Sequence, residues 1–192
     1  MTTPIIKNTI LGTAFADTII GQNGSDEIAG QDGDDIIKGG GGSDLLLGGE
    51  GNDNIDGGTG QDFLYGGLGN DILVGGAGGD WLSGDKGADS LKGGTGADVF
   101  FFNGHTAGVD GSDTIVDFNA GQNDTLSFGK FAEGTYITFV QGSSSVFVYS
   151  NTSINPTFAR PLDAEPTGTL IATVLNANVN DVQSHSTYDF IV

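Results

Sequence analysis

The chain has 192 residues, with 25 Asp and Glu against 6 Lys and Arg and a formal charge of −19. Such an excess repels the phosphates of nucleic acids and anionic membrane surfaces, and suits small hard cations or a polycation. Cysteine is absent, which excludes disulfides, thiolate metal sites and thiol nucleophiles.

Residues 1–11 read as an N-terminal leader or cap. Met1-Thr2-Thr3-Pro4-Ile5-Ile6-Lys7 lacks the apolar stretch of about 7–15 residues that marks an export signal peptide. No run in the chain approaches the roughly 20 apolar residues of a membrane span, so no membrane insertion is expected.

From Gly12 the sequence steps by nine to Phe101 without insertion or loss, through units such as GQDGDDIIK, GGEGNDNID and GGLGNDILV. Position one is always Gly. Position four is Gly in every unit but the first, where Phe15 stands. Position six is always Asp, and position eight is always large and apolar, from Ile19 and Ile28 to Leu91 and Phe100. A flexible glycine-rich linker would not keep such an apolar column. Collagen is excluded as well, because Gly does not fall at every third residue.

These units match G-G-x-G-x-D-x-U-x and resemble the repeat of RTX, or haemolysin-type calcium-binding, proteins. Elementary geometry agrees. Glycine at positions one, two and four allows positive φ and close backbone approach around an ion. Positions seven to nine form a short strand whose central side chain points inward. Two units make one coil with one strand in each of two sheets, so residues 12–101 form five coils, about 20–24 Å long at about 4.8 Å per rung. The expected fold is all-β: a parallel β-roll followed by a β-rich C-terminal capping region over residues 102–192.

The coil sorts the aspartates into two stacks. Asp17, Asp35, Asp53, Asp71 and Asp89 lie on one side, and Asp26, Asp44, Asp62, Asp80 and Asp98 on the other. Carboxylates one strand spacing apart repel unless a cation sits between them. Ca²⁺ needs 6–8 oxygen ligands, which carboxylates of two turns and the carbonyls of the Gly-rich positions can supply. The carbonyl candidates are Gly21, Gly24, Gly30, Gly33, Gly39, Gly42, Gly48, Gly51 and Gly57. They continue through Gly60, Gly66, Gly69, Gly75, Gly78, Gly84, Gly87, Gly93 and Gly96. Four gaps on each side give a ceiling of about eight ions. The gap beside Asp17 is the weakest, because Phe15 replaces the turn glycine.

Other metals fit less well. Zinc favours His or Cys, and only His105 and His185 are present, far apart in sequence. Mg²⁺ prefers a rigid octahedron with retained waters. An EF-hand pattern beginning at Asn52 fails because Phe63 stands where the last ligand, Glu, belongs. The roll's core is thin, with partial help from Leu45, Leu47, Phe63 and Trp81, so folding is expected to depend on calcium.

After the repeats, strand-like runs occur at Thr135–Val140, Ser145–Tyr149 and Gly168–Val174, enough to cap the open end as a sandwich-like region. Residues 96–101, 112–118 and 121–126 resemble the sequence that follows the repeats in serralysin-type secreted proteins. There, Asp110, Asp113, Asp117 and Asp124 supply one or two further ion sites or serve as ordinary turn residues.

The terminal Asp189-Phe190-Ile191-Val192 resembles the uncleaved signal of type I secretion substrates. That resemblance implies a type I secretion apparatus as partner and release outside a Gram-negative-type bacterium.

No H-E-x-x-H, G-x-S-x-G or P-loop is present. The expected function is therefore that of a non-enzymatic, secreted calcium-binding protein. The alternative is a C-terminal folding and secretion module of a larger metalloprotease, lipase, alginate epimerase or toxin, with an extracellular polysaccharide or surface as a further partner. The Met1 start favours the first.

Overall fold

The computed structural model describes residues 8–103, 111–131, 136–141, 145–151, 169–175 and 186–190. Its strands follow from the repeat. β4 (Ile36–Gly41), β5 (Leu45–Glu50), β6 (Asn54–Thr59) and β7 (Phe63–Leu68) each run six residues. So do β8 (Ile72–Ala77), β9 (Trp81–Lys86) and β10 (Ser90–Thr95). Each therefore extends from position seven through position three of the next unit, beyond the x-U-x core. The extension is possible because position one carries no side chain, so its backbone lies on the inner face without displacing the apolar ladder. In β5, Leu46 and Gly48 are buried while Leu45 and Leu47 face outward.

Within the repeats each rung pairs in parallel with the strand 18 residues on, as in Leu46 with Leu64 and Ile55 with Leu73. One sheet contains β3 (Asp26–Asp32), β5, β7, β9 and β11 (Val99–Phe102); the other contains β2 (Thr18–Ile20), β4, β6, β8 and β10. Two ladders of side chains face each other between them. Ile28, Leu46, Leu64, Leu82 and Phe100 oppose Ile37, Ile55, Leu73 and Leu91, and all are fully buried. Leu45, Leu47, Phe63 and Trp81, read from sequence as partial core, instead sit on the outer face, because a strand side chain next to a buried one points the other way. Phe63 is 48% exposed, and the Trp81 ring lies 5.0 Å from that of Phe101.

The leader supplies a rung of its own. β1 (Asn8–Leu11) pairs with β3 and places Asn8 beside Asp26. Beyond the repeats the same two sheets continue. β12 (Asp113–Ile115) stacks on β10, and β13 (Thr125–Phe131) stacks on β11. β16 (Thr169–Leu175) then adds to β12, and β17 (Ser186–Phe190) to β13. β14 (Tyr136–Gln141) and β15 (Ser145–Asn151) extend one sheet past β16 as antiparallel strands. β14, β15 and β16 coincide with the runs anticipated from sequence. Among the described residues they prolong one of the roll's own sheets. Among the described residues no helix is long and apolar enough to cross a membrane.

Candidate metal centres in the turns

The turns between strands are shaped by glycines of two kinds. Gly49 and Gly51, at positions two and four of one unit, have φ of 124° and 128°, a region that L side chains rarely adopt. Position one lacks this left-handed conformation, contrary to the expectation of positive φ at all three glycines. It is a close-approach position. A Cβ on Gly57 would lie 2.6 Å from Asp62 Oδ2 of its own unit and 2.6 Å from the Gly75 carbonyl of the next coil. A buried carboxylate oxygen and a backbone carbonyl thus face the same notch. The arrangement recurs at Gly75, with Asp80 Oδ2 at 2.5 Å and the Gly93 carbonyl at 2.7 Å.

The two aspartate stacks form as the repeat dictates. The amide of Asp35 donates to Asp53 Oδ1 at 2.8 Å, and that of Asp71 to Asp89 Oδ1 at 2.7 Å. On the other side Asp44 donates to Asp62 Oδ1 at 2.8 Å and Asp62 to Asp80 Oδ1 at 2.9 Å. One oxygen of each side chain is thereby spent on holding coils together. The second is not. Oδ2 of Asp35, Asp53, Asp71 and Asp89 on one side, and of Asp44, Asp62, Asp80 and Asp98 on the other, is buried without a hydrogen-bond partner. The first two units differ. Asp17 Oδ2 accepts from the Thr13 amide at 2.6 Å, and Asp26 Oδ2 from the Gln22 amide at 2.8 Å.

A buried, unpaired carboxylate is costly in its charged form. Burial pushes Asp44, Asp53, Asp89 and Asp98 above the ordinary carboxylate value, against the lowering effect of the amide that each accepts. Burial with repulsion from stacked neighbours carries Asp62 and Asp80 to about 6 and Asp71 to about 7. A divalent cation in the notch would reverse this penalty. The donors are hard oxygens, carboxylate and carbonyl, which suits Ca²⁺. Among the described residues no three His, Cys, Asp or Glu side chains converge on one point, so an ion here must draw most of its ligands from the backbone.

The stacks outlast the repeats. Asp89 donates its amide to Asp113 Oδ1 at 3.1 Å, and Asp98 donates to Asp124 Oδ1 at 3.1 Å. These links span 24 and 26 residues instead of 18. Burial, then repulsion from Asp89, lifts Asp113 to about 9, and burial lifts Asp124 to about 6. The sequence carries a sign of this continuation, since Asp113-Thr114-Ile115 and Asp124-Thr125-Leu126 repeat the D-x-U order of the units. Asp117 instead accepts the Gly93 and Gly94 amides, both at 2.9 Å. Asp124 Oδ2 is likewise occupied, by the Asn119 amide at 2.8 Å. Asp110 lies outside the described residues, as do Ile191 and Val192, while Asp189 and Phe190 fall in β17.

Comparison with known proteins follows the same lines. The RTX calcium-binding nonapeptide repeat matches in four overlapping copies, at residues 11–46, 38–73, 47–82 and 74–104. No curated protein matches the chain. Among solved structures, the extracellular lipase LipA from Serratia marcescens is similar at 19% identity, over 94% of this chain and 40% of the lipase, with a TM-score of 0.39. The chain thus spans 40% of the lipase's length. The AlgE6R3 subunit from the Azotobacter vinelandii mannuronan C5-epimerase is similar at 19% identity, over 97% of this chain and 86% of that one, with a TM-score of 0.37. Residues 11–104, just under half of the chain, thus carry the RTX calcium-binding nonapeptide repeat.

Proposed function

We propose that the chain is a secreted calcium-binding protein whose roll folds when it meets extracellular calcium after type I secretion. The observation that carries this reading is the set of orphaned Oδ2 atoms, four on each side of the roll, each buried at a glycine-lined turn. They support a load of about eight ions, one per gap between stacked turns. Their ligands are the position-six aspartates with carbonyls of the position-one and position-four glycines. The gap at Asp17 is weakest, since Asp17 Oδ2 already has the Thr13 amide and Phe15 stands 78% exposed in the turn. The chain itself carries no catalytic role. Asp189-Phe190-Ile191-Val192 addresses it to the secretion apparatus.

Calorimetric titration of the full chain with Ca²⁺ tests the site: uptake of about eight ions supports it, and uptake of none or one overturns it. Removing residues 189–192 should abolish release from a host that carries a type I apparatus and leave calcium uptake unchanged. Release without these residues would exclude their role as the address.

A second reading, that the chain is the calcium-binding module of a larger secreted enzyme that acts on a polymer, is favoured by the N-terminal edge of the roll. There Ile19, on the first strand of its sheet, is 8% exposed and Ile10 is only partly buried, whereas Ile28 to Phe100 in the same ladders are fully covered, as an end that receives further chain would be. Whether the reading frame continues upstream of Met1 into a catalytic domain decides between the two.

A further inference from the structure

The two turn columns are not equivalent, and the difference lies at position five, immediately before each stacked aspartate. On the Asp35 side this position holds Asp34, Asn52, Asn70 and Ala88. Asp34 Oδ1 accepts the Asn52 amide at 2.7 Å and its side-chain Nδ2 at 3.2 Å. Asn52 Oδ1 then accepts the Asn70 amide at 2.9 Å, and Asn70 Oδ1 the Ala88 amide at 2.8 Å. These side chains form a ladder across three successive gaps. In each rung the position-five amide donates to the coil before, while the adjacent aspartate amide donates to the coil after. Asn52 reaches back to Asp34 as Asp53 reaches forward to Asp71 Oδ1 at 2.8 Å. The two adjacent amides at Asn52 and Asp53 are therefore tied to the coils on either side without any ion.

On the Asp44 side, position five reads Ser25, Ser43, Gln61, Gly79 and Ala97. The corresponding contact there is long, from the Gln61 amide to Ser43 Oγ at 3.4 Å. Gly79 and Ala97 have no side-chain acceptor to offer.

We infer that Asn52 and Asn70 are positioning residues which pre-order the Asp35–Asp89 turns, so that this side takes up calcium before the Asp44–Asp98 side. The inference rests on the calcium reading above. A turn already ordered loses less conformational freedom on binding, and that saving appears as affinity. Neither Asn needs to touch the ion. Each acts through the amide that precedes a ligand aspartate.

The sole tryptophan makes the two sides separable. Trp81 directly follows Asp80, so terbium luminescence sensitised by Trp81 reads the Asp44–Asp98 side, while calorimetry with Ca²⁺ reads both. The wild-type chain should titrate in two phases, with the Trp81-sensitised signal in the weaker one. Asn52→Ala with Asn70→Ala should move the tighter phase about three- to tenfold to higher calcium and leave the luminescence midpoint in place. Asn52→Asp with Asn70→Asp keeps an oxygen where Asp34 has one, and should restore the tighter phase. If the double alanine variant loses its β spectrum at saturating calcium, Asn70→Ala alone serves for the same comparison. A single phase with full uptake, or an alanine variant with both phases unmoved, overturns the inference and leaves the calcium reading standing. A chain that takes up no calcium overturns that reading and this one together.

Discussion

The amide of Asp53 donates to Asp71 Oδ1 at 2.8 Å, while Asp71 Oδ2, on the same carboxylate, is buried and meets no donor. One oxygen builds the coil and the other opposes it. The same division recurs through the stacks from Asp35 to Asp98, so a single side chain type both registers the turns and carries the oxygen that the proposed cation would meet.

Asp71→Asn separates the two roles. The amide oxygen can still accept from Asp53, but the charge at the notch is lost. The calcium midpoint for folding should rise by about two- to tenfold. In chelator the sign reverses, because a buried charge has been removed. Circular dichroism of both proteins, with calcium and with chelator, checks the pair of outcomes.

The glycines are expected to differ in cost. Gly67→Ala forces a side chain onto φ of 113° and drives Cβ into the Gly49 carbonyl, and should destabilise the calcium-bound roll by about 3 kcal/mol. Gly24 has the same φ with nothing within 4 Å, so Gly24→Ala should cost only about 1 kcal/mol, the backbone strain alone. Urea denaturation at fixed calcium measures both.

Leu64→Ala and Phe63→Ala compare adjacent residues on opposite faces. Leu64 is fully buried and should cost about 2–5 kcal/mol. Phe63 is half exposed on the outer face and should cost less than about 1 kcal/mol. Calorimetric melting in calcium distinguishes them.

Acid should act in opposite directions with and without calcium. Asp62 and Asp80 near 6 and Asp71 near 7 all lie above the ordinary carboxylate value of 3.8 in the folded chain. A raised folded value means that the roll binds protons more readily than the unfolded chain does. Its metal-free stability is therefore greatest below about pH 4, and is lost as pH rises through 6 and 7. In chelator, β signal should grow from about pH 8 down to about pH 5. With calcium present, protons compete for the same oxygens and ions should be released over that range. Loss of β signal on acidifying the chelated protein would contradict this account.

Much of the molecule is legible in the sequence because its period is strict. Asp at position six and an apolar residue at position eight, repeated every nine residues, already imply two ladders and two stacks. What escapes lies where the period breaks or where the backbone decides. Asp113 and Asp124 join the stacks after 24 and 26 residues, and a fixed step of 18 does not find them although their D-x-U order does. Leu45 and Trp81 suggest core by apolar character alone, whereas strand alternation turns them outward. The six-residue strands depend on position-one glycine being buried in an extended conformation, which composition alone does not distinguish from a turn glycine. Asn52 and Asn70 occupy a variable column, and only the coil brings them into line.

The central claim is that calcium makes the fold. Far-ultraviolet circular dichroism of the full chain, first in chelator at neutral pH and then through a calcium titration into the millimolar range, tests it most directly. The account predicts a coil-like spectrum that converts cooperatively to β structure as calcium is added. A β spectrum that is already complete in chelator, and does not change with calcium, would contradict it.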